Sequence, residues 1–195
     1  MSSKLLDIPK VPFYFVRHGQ TDWNLEKRFQ GHIDIPLNSV GESEAVMAAR
    51  KILHIRFSKI ISSPLIRAWR TAEIICENHS KNISLETHVG LKERYAGPGE
   101  GKLWVDILKE NGLEGQLDAP VVPHVESESY QDMNIRVADT MREILGDSDV
   151  LIVSHGGVFH ALQHICFGDK GFHTRNAIPY RFSPTAKGWD IEEVA

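Results

Sequence analysis

The sequence predicts a single α/β domain, a three-layer α/β/α sandwich around a mostly parallel sheet. Short apolar runs alternate with helical patterns along the chain, which is typical of that architecture. Two of these runs, FYFVR at 13–17 and VLIVS at 150–154, each end at a His-Gly pair. No repeat, low-complexity tract or linker divides the 195 residues. We therefore expect one domain over residues 1–195, with residues 94–127 as a cap over the strand ends.

The first half of the chain shows clear boundaries between elements. Residues 12–18 form an apolar, aromatic run bounded by Pro12 and Gly19, which predicts a buried strand. Residues 19–38 are polar and predict a loop with one turn of helix. The sequence Ser-Val-Gly-Glu at 39–42 matches a capping box, and apolar residues follow it at helical spacing. A helix is therefore expected to begin there.

The next segment predicts a second strand, a helix and a third strand. Residues 57–63 are the strand, and Ser63-Pro64 then offers an N-cap and a proline at the first helical position. That helix is expected to run to about Glu77. Residues 83–89 alternate between apolar and polar side chains, which indicates the third strand.

The second half begins with a glycine-rich loop and ends with a hairpin. The predicted elements, in order, are a loop at 90–101, a short helix at 102–111, an irregular cover at 112–126, a helix at 128–145, a strand at 149–154, a helix from Gly156 to about Phe167, and a hairpin from 176–183 and 186–192.

The composition excludes several functional classes. The net charge is −4, whereas a general nucleic-acid binder is expected to be basic. The chain has two cysteines, Cys76 and Cys166, in apolar surroundings, so neither a disulfide framework nor a thiolate metal site is expected. No apolar run is long enough to span a bilayer, and the N-terminus lacks an apolar signal region. We expect a cytoplasmic protein without nucleic-acid or membrane partners.

Cationic and imidazole side chains gather at the predicted strand ends. Ligands of open parallel sheets bind beyond the carboxyl ends of the strands, where His18, Ser62-Ser63 and His155 are expected to lie. Arg17 precedes His18, and Arg67 follows about one turn into the next helix. Guanidinium groups and helix N-termini both favour a phosphate. The sequence therefore predicts a phosphate site built from both halves of the chain.

Two imidazoles and two arginines around a phosphoryl group predict chemistry at phosphorus. One neutral imidazole would attack, while the other imidazole and the arginines would stabilise charge on the oxygens. A carboxyl group must then protonate the leaving oxygen. Glu93 is the preferred candidate, and Glu100 in the same loop and Glu86 on the strand are alternatives.

Five blocks of the sequence, in order, carry a resemblance to a known family. They are RHGQTDWN at 17–24, RFQGHIDIPLNSVG at 28–41, SSPLIRAWRTA at 62–72, LKER at 91–94 and SHGG at 154–157. Together they resemble the histidine phosphatase superfamily, in its phosphoglycerate mutase-like branch. The resemblance runs from residue 13 to about residue 160 and implies a phosphoglycerate mutase-like fold.

The resemblance also implies roles for individual residues. His18 would be the phosphorylated nucleophile, and the rest of the phosphate pocket would be Arg17, Arg67 and His155. Glu93 would be the proton donor. Further substrate or phosphate contacts would come from Asn24, Gln30, Gly31 and Gly156. Neither a metal nor another cofactor is expected.

Departures from the family pattern favour a phosphatase over a mutase. Mutases of this family carry an arginine pair after the acid block, whereas residues 102–127 contain lysines but no arginine. Gly157 stands where the mutase branch tends to have Asn, which also favours hydrolysis. A further departure, YAGPGEG at 95–101 in place of the pattern FGxWEG of many phosphatase-like members, concerns the leaving-group pocket and does not separate the two activities. We predict hydrolysis of a small phosphorylated metabolite.

Two alternatives and two smaller questions stay open at this point. The alternatives are a cofactor-dependent phosphoglycerate mutase and a non-enzymatic module that binds a phosphorylated ligand. A homodimer is possible. His160 and His164 stand one helical turn apart, which metal-binding pairs also do, but we interpret them as structural.

Overall fold

The computed structural model describes residues 6–79, 83–115, 124–146, 149–168 and 174–195. Part of the predicted cap, residues 116–123, lies outside these ranges. The strands are β1 (Phe13–Arg17), β2 (Lys59–Ser62), β3 (Ser84–Thr87), β4 (Val150–Ser154), β5 (Pro179–Thr185) and β6 (Gly188–Glu193). The α-helices are α1 (Asp22–Leu25), α2 (Ser39–Lys51), α3 (Ile66–Asn78), α4 (Trp104–Glu110), α5 (Tyr130–Ile144) and α6 (Gly156–Phe167). In the described ranges no helix is both long and apolar enough to cross a membrane.

The six strands form one sheet in the order β3-β2-β4-β1-β5-β6. The first four strands of this order are parallel, and β5 and β6 add an antiparallel edge. In the registers, Arg17 is the partner of Ser154, and Ser62 is the partner of Val153. The carboxyl ends of β1, β2 and β4 are therefore level, which brings the residues after them to one place.

The sheet separates two apolar cores, which confirms the predicted sandwich. In β1, Phe13 and Phe15 face a core that includes buried residues of α5 and α6. Tyr14 and Val16 face the opposite core, which includes alanines of α2 and α3. The alternation follows from the two-residue period of a strand. Central strands apolar on both faces are typical of a sheet covered by helices on both sides.

Two of the predicted helix caps are wrong. The N-cap of α2 is Asn38, whose side chain accepts a hydrogen bond from the Gly41 amide, so Ser39 is the first helical residue. Helix α3 begins at Ile66 rather than at Pro64, and its N-cap residue makes no side-chain capping bond. Instead, the Asp34 carboxylate accepts a hydrogen bond from the Ile66 amide at 2.6 Å. A contact across 32 positions replaces the local cap, which sequence spacing alone could not indicate.

The turn after β1 lies directly against the first turn of α2. A Cβ atom on Gly19 would lie 2.3 Å from the Gly41 carbonyl oxygen, and one on Gly41 would lie 2.1 Å from the Gln20 carbonyl oxygen. Both positions therefore require glycine because backbone occupies the space of a side chain. This close approach holds the residues that follow His18 against a rigid helix.

This contact predicts that Gly41→Ala destabilises the protein, whereas the same substitution within a helix usually stabilises it. Gly→Ala within a helix ordinarily stabilises by up to about 1 kcal/mol. Here the added methyl group meets backbone, and overpacking of this kind costs about 1–3 kcal/mol. We expect Gly41→Ala to lower the free energy of unfolding, measured by urea denaturation.

Gly146→Ala is the matched control, because a Cβ atom there meets nothing within 4 Å. The control should unfold at or above the wild-type urea concentration. Equal midpoints for the two variants would contradict the close approach.

Candidate active site

His18 follows the last residue of β1 and is buried. Its Nδ1 atom lies 2.7 Å from the carbonyl oxygen of Gly19. A carbonyl oxygen can only accept, so Nδ1 carries the proton and donates it. The lone pair of the neutral ring is therefore on Nε2. The turn that follows the strand thus selects the tautomer that an Nε2 nucleophile requires.

The imidazoles of His18 and His155 are close together and both are uncharged. Their ring centroids are 5.2 Å apart. Burial, and then the positive charges of Arg67 and Arg17, hold the pKa of His18 well below 6.5. Burial and Arg67 likewise hold the pKa of His155 well below 6.5. Each ring therefore keeps a lone pair at neutral pH.

His155 follows β4 and is oriented by a serine at the end of β2. Its Nε2 atom lies 2.7 Å from the hydroxyl oxygen of Ser63. That hydroxyl accepts a hydrogen bond from the Leu65 amide at 3.3 Å, which leaves its own proton for Nε2. The Nδ1 atom of His155 then carries the ring proton. It is buried and has no hydrogen-bond partner.

Arg67 is completely buried at the start of α3. Its Nη2 atom donates to the carbonyl oxygen of Gly31 at 2.8 Å, and Nη1 donates to that of Ile33 at 2.9 Å. Burial lowers the pKa of Arg67 to about 10, so the guanidinium remains charged at neutral pH. Its Nε atom is buried and has no hydrogen-bond partner. The loop after α1 therefore fixes the group but leaves one donor unused.

Arg17 has the same kind of unused donor at the end of β1. Its Nη1 atom donates to the carbonyl oxygen of Thr174 at 3.3 Å, whereas its buried Nε atom has no partner among the described residues. Burial lowers the pKa of Arg17, and the Glu93 carboxylate opposes that shift. A Cβ atom on Gly156 would lie at ordinary van der Waals distance, 3.6 Å, from the Arg17 guanidinium. The N-terminus of α6 therefore lies next to the arginine.

Near His18, three buried N–H donors have no hydrogen-bond partner among the described residues. They belong to Arg17, Arg67 and His155, and each comes from the end of a different strand or the helix after it. Leaving such a donor unsatisfied costs about 1–3 kcal/mol. An anion with several acceptor oxygens, such as a phosphoryl group, would supply acceptors of the kind that these donors lack.

Glu93 is the carboxylate at this site. Its Oε1 atom accepts a hydrogen bond from the Arg94 amide at 2.8 Å, and the Gly157 amide lies 3.0 Å from Oε1 and 3.1 Å from Oε2. A Cβ atom on Gly157 would lie 2.1 Å from Oε1. The glycine after the second His-Gly pair is therefore what allows the carboxylate to contact α6.

The two alternative carboxylates do not line the active-site cavity. Glu86 is exposed on β3, where its side chain lies 4.0 Å from Lys59. Glu100 accepts hydrogen bonds from the amides of His32 and Ala96, and so braces the loop around Gly31. The geometry therefore favours Glu93 as the acid.

The remaining predicted contacts, Asn24, Gln30, Gly31 and Gly156, all line the cavity. Asn24 is held by its Oδ1 atom, which accepts a hydrogen bond from the Thr21 amide at 3.1 Å. The Thr21 hydroxyl lies 3.1 Å from Oε1 of Gln30. Gly31 has φ +49°, and a Cβ atom there would lie 2.1 Å from Glu100.

A cavity of about 660 Å³ opens above these groups. Its outer wall comes from α1 and the loop after it, from the loop after β3, from α4 and from the start of α5, and includes Trp23, Lys27, Arg28, Phe29, Arg94, Trp104 and Tyr130. Residues 102–127 lack arginine, but Lys27, Arg28 and Arg94 bring positive charge to the cavity from elsewhere.

His160 is exposed and also lines the cavity, so it lies at the site rather than behind it. His164 does not line the cavity. Within the described ranges, no three His, Cys, Asp or Glu side chains come together as a metal site requires.

Several residues at the site were not identified from the sequence. Asn176 donates to the carbonyl oxygen of His18 at 2.8 Å, and the His32 ring lies 2.8 Å from the carbonyl oxygen of Glu93. Thr21 is completely buried and orients Asn24 and Gln30. Thr21 lies inside one of the sequence blocks that carried the resemblance. Asn176 lies 20 residues after the last predicted site residue, and no sequence pattern indicated it.

Comparison with known proteins agrees with this geometry. A Bacillus subtilis protein named "Uncharacterized phosphatase PhoE" is 35% identical over 148 residues, which cover 75% of this chain and 72% of that protein. The Escherichia coli "Probable phosphoglycerate mutase GpmB" is 33% identical over 199 residues, covering 92% of this chain and 90% of that protein.

A mycobacterial glucosyl-3-phosphoglycerate phosphatase, solved in complex with VO3, is structurally similar. Its TM-score is 0.76 at 27% sequence identity, over 93% of this chain and 97% of that chain. The sequence model of the histidine phosphatase superfamily (branch 1) matches residues 13–194. The chain therefore belongs to the histidine phosphatase superfamily, and it is a phosphatase of that type.

Proposed function

We propose that the chain hydrolyses a small phosphorylated metabolite through a phosphohistidine on His18, without a metal ion. The observation that carries the proposal is the group of three buried, unpartnered N–H donors around the His18 ring. These donors suit the oxygens of a phosphoryl group, and the lone pair on Nε2 of His18 suits its phosphorus atom.

The first step forms one bond and breaks another at phosphorus. Nε2 of His18 attacks, the ester P–O bond breaks, and the leaving oxygen takes a proton from Glu93. Arg17, Arg67 and His155 bind the three oxygens on which charge is spread in the transition state. Nδ1 keeps its proton and its hydrogen bond to Gly19, so positive charge that develops on the ring is stabilised by a carbonyl dipole.

The second step restores the enzyme. A water molecule gives a proton to the Glu93 carboxylate and attacks phosphorus, the N–P bond breaks, and inorganic phosphate is released. The Gly157 and Arg94 amides hold the Glu93 carboxylate in one orientation through both steps. One carboxyl group therefore serves as acid and then as base.

A mutase would share the first step and differ in the acceptor. The cations Lys27, Arg28 and Arg94 could hold a phosphorylated acid for return of the phosphoryl group. Gly157 stands where the mutase branch tends to have Asn, which favours hydrolysis instead. Release of inorganic phosphate faster than exchange between phosphoglycerate isomers supports the phosphatase. The opposite ratio supports the mutase.

The phosphohistidine can be trapped directly. The N–P bond of phosphohistidine hydrolyses in acid, so ³²P-labelled enzyme is quenched with alkali, and the label should be stable to alkali and lost in acid. His18→Asn should abolish both label and turnover, whereas His54→Asn, at an exposed surface position, should retain them. Turnover by His18→Asn at the wild-type rate would overturn the assignment, and phosphate binding without turnover in wild type would support a binding module.

Substitution of Glu93 should affect substrates according to their leaving groups. Glu93→Gln removes the proton donor, so we expect hydrolysis of alkyl phosphates to slow by about 10²–10⁴-fold. A p-nitrophenolate leaving group needs little protonation, so formation of the phosphoenzyme from p-nitrophenyl phosphate should slow much less. The measurement is the pre-steady-state burst with each substrate.

Glu100→Gln is the matched control for the same experiment, because Glu100 does not line the cavity. Its ratio of alkyl to nitrophenyl rates should equal that of wild type. A shifted ratio for Glu100→Gln and an unchanged one for Glu93→Gln would assign the acid to Glu100.

The lowered pKa values of His18 and His155 predict a loss of stability in acid. The folded rings stay neutral below pH 6.5, whereas the unfolded rings bind protons there, so stability is complete above that pH and falls below it. The slope is at most about 1.4 kcal/mol per pH unit for each histidine. Urea denaturation from about pH 7 to pH 5 should show a smaller loss in the double variant His18→Asn/His155→Asn than in wild type. Equal losses would contradict the buried, neutral state of the two rings.

A further inference from the structure

Lys27 has a left-handed backbone conformation, with φ +57°. It follows the C-cap Glu26 of α1. The Lys27 amide donates to the carbonyl oxygen of Asn24 at 3.2 Å, and the Arg28 amide donates to that of Trp23 at 2.9 Å. These two bonds form a Schellman motif, in which Lys27 occupies the position that most often holds glycine.

A lysine is a costly choice at this position. The left-handed region brings the Cβ atom of an L-residue close to backbone, and glycine avoids that strain. Strain of this kind persists where the surrounding structure fixes it, and it is often found at functional sites. We therefore expect the lysine side chain to have a role other than ending α1.

The backbone of Lys27 is fixed by the opposite wall of the cavity. Its carbonyl oxygen accepts a hydrogen bond from the Trp104 amide at 2.8 Å, and Arg28 forms a β-bridge with Leu103. The rings of Phe29 and Trp104 stack with centroids 4.7 Å apart. Lys27 therefore emerges beside a rigid aromatic surface that also lines the cavity.

The cavity carries more positive charge than the transferred phosphoryl group requires. Its lining includes the cations Arg17, Lys27, Arg28, Arg67 and Arg94, and the carboxylate Glu93. Arg17 and Arg67 flank His18, and Arg28 pairs with Glu26. Lys27 makes no ion pair with any residue in the described ranges. Lys27 is exposed and lines the cavity, so it adds a positive charge there, in a protein whose net charge is −4.

We propose that Lys27 is a specificity-determining residue that binds a second anionic group, carried by the leaving group of the substrate. The phosphoryl group lies at His18, the body of the leaving group lies against the Phe29–Trp104 stack, and its anionic group reaches Lys27. This inference rests on the proposed function, because it requires a phosphomonoester in the cavity.

Two substrates that differ in one charge test the proposal. They are 4-(carboxymethyl)phenyl phosphate and its carboxamide, which have similar size. Because a methylene group separates the carboxylate or carboxamide from the ring, the two phenolic leaving oxygens have similar basicity. Wild type should prefer the carboxylate in kcat/KM by about two- to fivefold, the range expected for a partly exposed ion pair. The preference should appear mainly in KM and weaken as salt concentration rises.

Lys27→Gly should reduce that preference to about one, because only the charge–charge contact is lost. Its thermal unfolding midpoint should equal or exceed that of wild type, since glycine suits the left-handed backbone. Lys27→Arg should keep the preference. Lys187→Gly removes the same charge in the exposed turn between β5 and β6 and should also keep it.

An unchanged preference in Lys27→Gly would overturn the inference while leaving the proposed function intact. So would a preference lost equally in Lys187→Gly, which would indicate net charge alone. If wild type hydrolyses neither substrate and forms no phosphoenzyme, the proposed function fails, and this inference fails with it.

Discussion

Buried positive charge at the carboxyl ends of the parallel strands is the constraint on which the site depends. Arg67 is completely buried, and its Nη atoms donate to backbone carbonyl oxygens rather than to a carboxylate. That arrangement requires the loop carrying Gly31 and Ile33 to lie over α3, which is also what brings Asp34 to the start of that helix. The tight contact between Gly19 and Gly41 completes the same edge. The fold therefore holds together cations that repel each other.

Burial, together with the same positive charge, explains why the imidazoles are neutral. Protonation of His18 or His155 would add positive charge beside two guanidinium groups in a buried place, so both pKa values fall. A neutral ring is the form that can attack phosphorus, and the Gly19 carbonyl oxygen fixes which nitrogen does so. Buried positive charge and unsatisfied donors are both unfavourable, and a phosphoryl dianion would relieve both. The residues that cost stability at this site are those expected to bind the substrate.

The sequence predicted the phosphate end of the site better than its outer wall. His18 and His155 were found because each follows a buried strand, and parallel strands deliver their ends to one edge. Lys27 and Trp104 meet through a β-bridge between segments about 75 positions apart, so no local pattern indicated that contact. The two helix caps were predicted wrongly for a related reason. Asn38 and Ser39 are both good N-cap residues, and Asp34 caps α3 only because Arg67 holds its loop in place.

The most direct test of the account is the structure of the enzyme with orthovanadate, a phosphate-like oxyanion. We expect the anion at His18, with Nε2 facing vanadium and oxygens within hydrogen-bond distance of Nε of Arg17, Nε of Arg67 and Nδ1 of His155. At the site, these three atoms are buried donors without a partner among the described residues. An anion bound elsewhere, with these three donors paired to protein groups, would contradict the claim that they exist to hold a phosphoryl group.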